Sequence, residues 1–207
     1  QERSELASRL LSDSERIVEL DPLTISPSAI PDRFGGAYSE QALAEIVESM
    51  KQRGQIVPGM VRPFGAPGNF QIVYGRRRLA AAKLLGTKFK AVVRELSDEQ
   101  AVILQGEENA ERADLTFIEK CVFASAQETF GFRRDVICSS LSTTKSHVSE
   151  MIKIASAVPV DVKNAIGPAP AVGRGRWLAL SEGLENADAL KAVQEICAST
   201  AFAKLDT

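Results

Sequence analysis

Histidine and tryptophan occur once each in this chain of 207 residues, and cysteine three times, as Cys121, Cys138 and Cys197. An odd number of cysteines without metal-ligand spacing excludes a disulfide framework and a zinc site, and a reducing cytoplasm is the compartment that fits. The lone histidine, His147, has no Ser, Cys or metal-ligand partner at informative spacing, so it reads as a phosphate or base contact rather than a catalyst. No stretch approaches ~18 consecutive apolar residues, so no membrane span is expected. A basic, apolar leader is also missing, and the chain starts at Gln1 rather than Met, so a fragment of a longer, non-secreted chain is expected. With 44% hydrophobic and 25% charged residues, the composition is that of one or two domains with real cores.

One further absence is local. From Arg53 to Arg94 there are 9 basic residues and no acidic one, and from Glu95 to Glu111 there are 6 acidic residues and no basic one. The formal net charge of -2 hides this division. A cationic window beside an anionic one suggests a polyanion site with carboxylates near it, the arrangement of a nucleotide and its metal. The alternative is that the two blocks neutralise each other as solvated faces.

Up to about Glu95 the pattern mixes strands and helices. Strands are expected at Arg16–Leu20, Met60–Phe64, Phe70–Tyr74 and Phe89–Glu95, with the turn-rich Gly65–Asn69 making the middle two a hairpin. Helices are expected from Ser39 (as N-cap) to Arg53, where Leu43, Ile46, Val47 and Met50 share a face, and from Arg76 to Leu85, stopped by Gly86. The sum is a small α+β domain. From Ser97 the chain reads as all-helical. Ser97 with Gln100 and Thr116 with Glu119 have capping-box spacing, opening helices over Asp98–Glu111 and Phe117–Phe130. Further helices are expected at Asp135–Leu141, Thr144–Ala155, Asp161–Ile166, Gly175–Glu182 and Ala187–Ala198.

Three motifs carry chemistry. Tyr74-Gly75-Arg76-Arg77-Arg78 lies between a strand and a helix, where free N–H groups and the helix dipole favour an anion and Gly75 admits a phosphate. Successive helical residues are about 100° apart, so at least one of the three guanidiniums must turn elsewhere, toward an acidic neighbour for instance. Next, Glu108-Asn109 places a carboxylate beside a carboxamide, hard oxygen donors suited to Mg²⁺. Arg112 could share the same phosphates or pair with Glu108 along the helix, and an ordinary helix end is the plainer reading of the pair. Third, Arg134 to Ile154 is a helix-turn-helix candidate, with Val148, Met151, Ile152 and Ala155 inward, and Cys138 small where the helices cross. Thr143, Thr144, Lys145, Ser146, His147, Ser149 and Lys153 are then free to meet phosphates or bases, with Glu150 on the same side. The plainer alternative is an αα-hairpin that binds nothing.

In this order the motifs resemble the ParB family of DNA-partition proteins, and within it the RepB proteins of repABC-type plasmids. The similar stretches are Tyr74–Leu85, Glu107–Glu119 and Cys138–Ile154, and Ile166–Trp177, which contains Arg174 and Arg176, is similar to the RepB branch. The resemblance implies an α+β N-terminal domain of the ParB/sulfiredoxin-like kind followed by an all-α helix-turn-helix DNA-binding domain. The implied division is a flexible segment 1–15, a CTP-binding domain 16–96, a connecting helix 97–115, a helix-turn-helix domain 116–183 and a C-terminal helix 184–207.

The function implied is plasmid partition, with CTP and Mg²⁺ as ligands, and closure of two chains into a clamp that slides along DNA. By position, Gly75, Arg76, Arg77, Arg78 and Arg112 fall at the nucleotide, Glu108 and Asn109 at Mg²⁺, and Ile25–Arg33 beside the base. Arg134, Thr143, Thr144, Lys145, Ser146, His147, Ser149, Lys153, Arg174 and Arg176 fall at a palindromic, centromere-like duplex. A homodimer that forms with nucleotide or DNA is implied, as is a ParA-type ATPase (RepA) engaged through segments not evident in this chain. Arg76 stands where the family commonly has Glu or Gln, a position associated with hydrolysis, so CTP turnover stays open. Two other readings stay open. One is a nucleotide-independent DNA-binding regulator. The other is a sulfiredoxin-like phosphotransferase, which needs a Cys beside Arg76 where the sequence has none.

Overall fold

Five short runs in the first half of the sequence pair into one mixed sheet. They are β1 (Ile17–Leu20), β2 (Ile25–Ser26), β3 (Gly59–Pro63), β4 (Phe70–Tyr74) and β5 (Phe89–Val93), in the order β1-β5-β3-β4-β2. The structure is a computed structural model whose described residues are 16–30, 40–111, 115–199 and 202. Expectations for residues 1–15, Ser39 and Arg112 lie outside them. The chain divides into two units, residues 1–28 with 38–101 and residues 29–37 with 102–207.

In the first unit β3 and β4 form the expected antiparallel hairpin, with the Phe64 N–H donating to the Asn69 carbonyl at 3.0 Å across the Gly65–Asn69 turn. Met60 pairs with Tyr74 but Val61 with Ile72, so Val73 is an extra residue, a bulge placed just before Gly75. The chain then makes α2 (Arg76–Leu85) and returns as β5, parallel to β3 and antiparallel to β1. Helix α1 (Glu40–Arg53) packs against α2. Ile25, Val61, Ile72, Leu79, Ala82, Phe89 and Ala91 form the core. Burying each large aliphatic side chain there contributes about 1.5–3 kcal/mol before conformational entropy is counted. The sequence pattern missed β2, and β5 stops at Val93 rather than Glu95.

The regular elements among the described residues of the second unit are helices. Helix α3 (Asp98–Glu111) enters this unit at Val102, and its Ser97–Gln100 capping box forms at 2.9 and 3.2 Å. Next come α4 (Phe117–Phe130), α5 (Arg134–Ser140), α6 (Lys145–Ala157), α7 (Val160–Ile166), α8 (Arg174–Gly183) and α9 (Ala187–Ala198). The Thr116–Glu119 capping box is complete, and it satisfies a buried carboxylate: Thr116 donates to Glu119 Oε2 from both its N–H and its hydroxyl. Trp177, Ile118, Cys121, Ile154, Val158 and Val162 make the largest core cluster. Gly106 is the most confined of the unit's described glycines. A Cβ there would overlap the carbonyl oxygen of Ser140, so the last turns of α3 meet the end of α5 backbone on backbone.

Candidate functional site

The junction from β4 to α2 is shaped by two glycines. Gly75 caps α2 with φ +94°, a conformation that disfavours any side chain, and a Cβ on it would lie 3.0 Å from the Gly59 Cα. Gly59 is equally confined, since its own Cβ would come 2.5 Å from Phe89 Cζ. The N-cap, Gly75, has no side chain with which to cap α2, and the first turn holds no acidic residue, so the N–H groups and the Arg76, Arg77 and Arg78 side chains share one positive helix start.

The guanidinium required to turn away is that of Arg78. Its Nη1 donates to the Val57 carbonyl at 2.7 Å and the Pro58 carbonyl at 2.9 Å. The same loop is held from the other side by Gln55. Its amide donates to the Lys90 and Val57 carbonyls and accepts from the Lys90 N–H, in the manner of a strand residue beside β5. A second arginine is buried in β3. Arg62 donates to Gln71 Oε1 from Nε and Nη2, to the Leu96 carbonyl from Nη1, and pairs with Asp98 at the start of α3. Ile25 lies in the core of the first unit and Ile30 in a core cluster of the second, so neither side chain is turned outward to line a base. Residues 31–33 lie outside the described residues.

Glu108 and Asn109 sit in the last turn of α3, which has no basic residue, with Asn109 buried and Glu108 partly so. They belong to the second unit, whereas the arginine cluster belongs to the first. Among the described residues no group of three or more His, Cys, Asp or Glu side chains could hold a metal by itself. All three cysteines are in the second unit, and burial first, then the Glu150 charge, pushes the Cys121 thiol up to about 12, away from nucleophilic use.

Helices α5 and α6 are joined by Leu141–Thr144, with Ser142 in the left-handed region at φ +47° where glycine is usual. Val148, Ile152, Ile154 and Ala155 are buried, while Thr144, Lys145, Ser146, His147, Ser149 and Lys153 are exposed. Ser149 turns its hydroxyl back to the Lys145 carbonyl at 2.9 Å, and the Thr144 and Ser146 hydroxyls lie 3.1 Å apart. The fold brings Arg174, at the start of α8, to α6. Its Nε and Nη2 donate to the two oxygens of Glu150 at 2.5 and 2.6 Å, which raises the guanidinium pKa further. Its Nη1 lies 3.4 Å from His147 Nε2, and His147 Nδ1 lies 3.3 Å from the Thr143 hydroxyl. Two other candidate cations also rest on carboxylates, Arg134 on Glu128 at 2.5 Å and Lys153 on Glu185 at 3.8 Å. The exposed side chains of Lys145 and Arg176 make no ion pair among the described residues. The sequence pattern missed these three carboxylate partners.

Residues 7–110 match the ParB N-terminal domain family, and residues 111–207 match the RepB plasmid partitioning protein family. A replication protein B of Rhizobium rhizogenes is 42% identical over 184 residues, covering 88% of this chain and 57% of the relative. The chain thus spans somewhat more than half the length of the curated relatives it matches, 57% of this one and 55% of a second. Among solved structures, a Pnob8-like ParB-N domain aligns over 91% of this chain and 92% of its own, with a TM-score of 0.51 and 15% identity, a likeness of fold. The C-terminally truncated ParB of Caulobacter crescentus in complex with CTP-γ-S aligns over 87% of this chain and 98% of its own, at 26% identity and a TM-score of 0.43.

Proposed function

The chain belongs to the family of ParB and RepB partition proteins, and on that premise we propose that it binds a centromere-like DNA site on a plasmid and uses CTP to close two copies into a sliding clamp. The observation that carries the DNA half is the face of α6. The helix buries Val148, Ile152 and Ala155 and turns Thr144, Lys145 and Ser146 outward at the end of a tight turn. Hydroxyls and an ammonium at the start of an exposed helix suit a major groove, where Ser and Thr meet phosphate or base and Lys meets phosphate or guanine. A two-fold pair of such helices would match a palindromic duplex.

The start of α2 supports the nucleotide half. Gly75 removes the side chain that would block a phosphate, the positive end of the helix dipole lies there, and Arg76 and Arg77 add charge. Arg78 serves that cradle by bracing the Val57–Pro58 loop. Glu108 and Asn109 would hold Mg²⁺, whose charge would offset that of the triphosphate, and their hard oxygens fit that ion. Arg76, at the position associated with hydrolysis, favours a reading of CTP as a bound ligand rather than a rapidly consumed substrate. Partition further implies a ParA-type ATPase as partner and a cytoplasmic, plasmid-associated location.

Two titrations test this reading. Calorimetry with CTP and Mg²⁺ should give heat at micromolar to millimolar nucleotide, and anisotropy should report binding to duplexes selected from a randomised library. Arg77→Ala should abolish the nucleotide heat and CTP-dependent closure but leave binding to a short duplex intact. Equal loss of both activities would mean that the cluster contacts DNA. Duplex binding without any nucleotide heat in the unaltered chain would replace the switch by a nucleotide-independent regulator.

A further inference from the structure

We propose that Glu150 makes duplex binding selective by holding Arg174 in an intramolecular ion pair that phosphate alone displaces poorly; this rests on α6 being the DNA-binding helix. Both oxygens of Glu150 are engaged, at 2.5 and 2.6 Å, by the Nε–Nη2 edge of Arg174. A two-point guanidinium–carboxylate pair is the strong form of an ion pair and fixes geometry as well as charge. The pair lies on the outward side of α6 beside His147, with the Arg174 side chain 52% exposed and that of Glu150 only 23%. The cation is thus open to a ligand, while the carboxylate holding it is mostly shielded from water.

A random duplex offers Arg174 only phosphate oxygens. Taking one means giving up a two-bonded carboxylate and leaving Glu150 unpaired against the polyanion, and like charges in contact are costly. A cognate site can repay that loss by giving the released carboxylate a donor, as the N4 amino group of cytosine does in the major groove. The other two cation–carboxylate pairs, Arg134–Glu128 and Lys153–Glu185, act in the same direction but less selectively. Each is joined through one guanidinium or ammonium nitrogen, the second at 3.8 Å.

The test is a salt series with a short random-sequence duplex, read by anisotropy on the unaltered chain, Glu150→Gln, Arg174→Gln and the double variant. Glu150→Gln should bind the random duplex about five-fold tighter at low salt and steepen the slope of log affinity against log salt by about 0.9, the contribution of one newly made phosphate contact. It should also enrich a broader set of sequences, with a weaker consensus, from a randomised library. Arg174→Gln alone, which leaves the Glu150 carboxylate unpaired, should weaken random-duplex binding about five-fold without steepening the slope, and the double variant should return to the affinity and slope of the unaltered chain. Equal weakening on random and selected duplexes would overturn the proposal, since Glu150 would then only position Arg174. An unchanged slope in Glu150→Gln would overturn it as well. If the unaltered chain bound no duplex at any salt, the DNA-binding reading would fall, and this inference with it.

Discussion

Arg78 and Arg174 are both arginines near a helix start, and both are anchored, but by opposite kinds of acceptor. In the first unit the Val57 and Pro58 carbonyls hold Arg78, and in the second unit the Glu150 carboxylate holds Arg174. Carbonyl oxygens fix a guanidinium without cancelling its charge, whereas a carboxylate does both. The first arrangement keeps a positive junction in shape, and the second keeps a cation in reserve until something displaces its partner. Two equal counts of basic residues can therefore have very different attractions for a polyanion, depending on what each cation rests on.

Substitutions at each site sharpen this contrast or break it. The largest effect is expected at the junction itself. Gly75→Ala must place a side chain at φ +94° and 3.0 Å from the Gly59 backbone, costing roughly 2–3 kcal/mol of stability, measured by denaturant unfolding, and removing the CTP heat. Arg78→Gln should cost about 1–2 kcal/mol, and the part of that loss due to the Val57 and Pro58 carbonyls should be unchanged between low and molar salt, because those two acceptors are neutral. A loss that fades with salt would show the anchor to be ionic and would break the comparison. The smallest effect is expected from Lys145→Ala, which should weaken binding to every duplex by less than about ten-fold and flatten the salt slope by about 0.9. Loss of preference at a single base position, with the slope unchanged, would reassign Lys145 to base reading.

Local chemistry was legible in the sequence wherever the physics is local. The Gly65–Asn69 turn and its hairpin, the two capping boxes, and the helices over Asp98–Glu111, Phe117–Phe130 and Ala187–Ala198 stand where their spacing put them. So did the need for one of three adjacent arginines to turn aside, a matter of helical geometry, though its carbonyl partners lie about 20 residues earlier. What the pattern could not supply depends on distant contacts. Strand β2 is two residues long and exists through its parallel pairing with Phe70 and Gln71. Glu150 looked like one more polar residue on α6, because the arginine it holds is 24 positions away. Gly106 looked like an unremarked helix residue, since nothing in its neighbourhood announces Ser140.

That last contact has a mechanical meaning. Where two helices touch through side chains, rotamers can absorb small displacements, but main chain resting on main chain has no such cushion. The seat of Gly106 on Ser140 therefore leaves no side chain to take up a displacement at that point. Any push of about an ångström delivered at the Ser140 end, immediately ahead of the turn into α6, would be felt undamped two and three residues past Gly106, at Glu108 and Asn109.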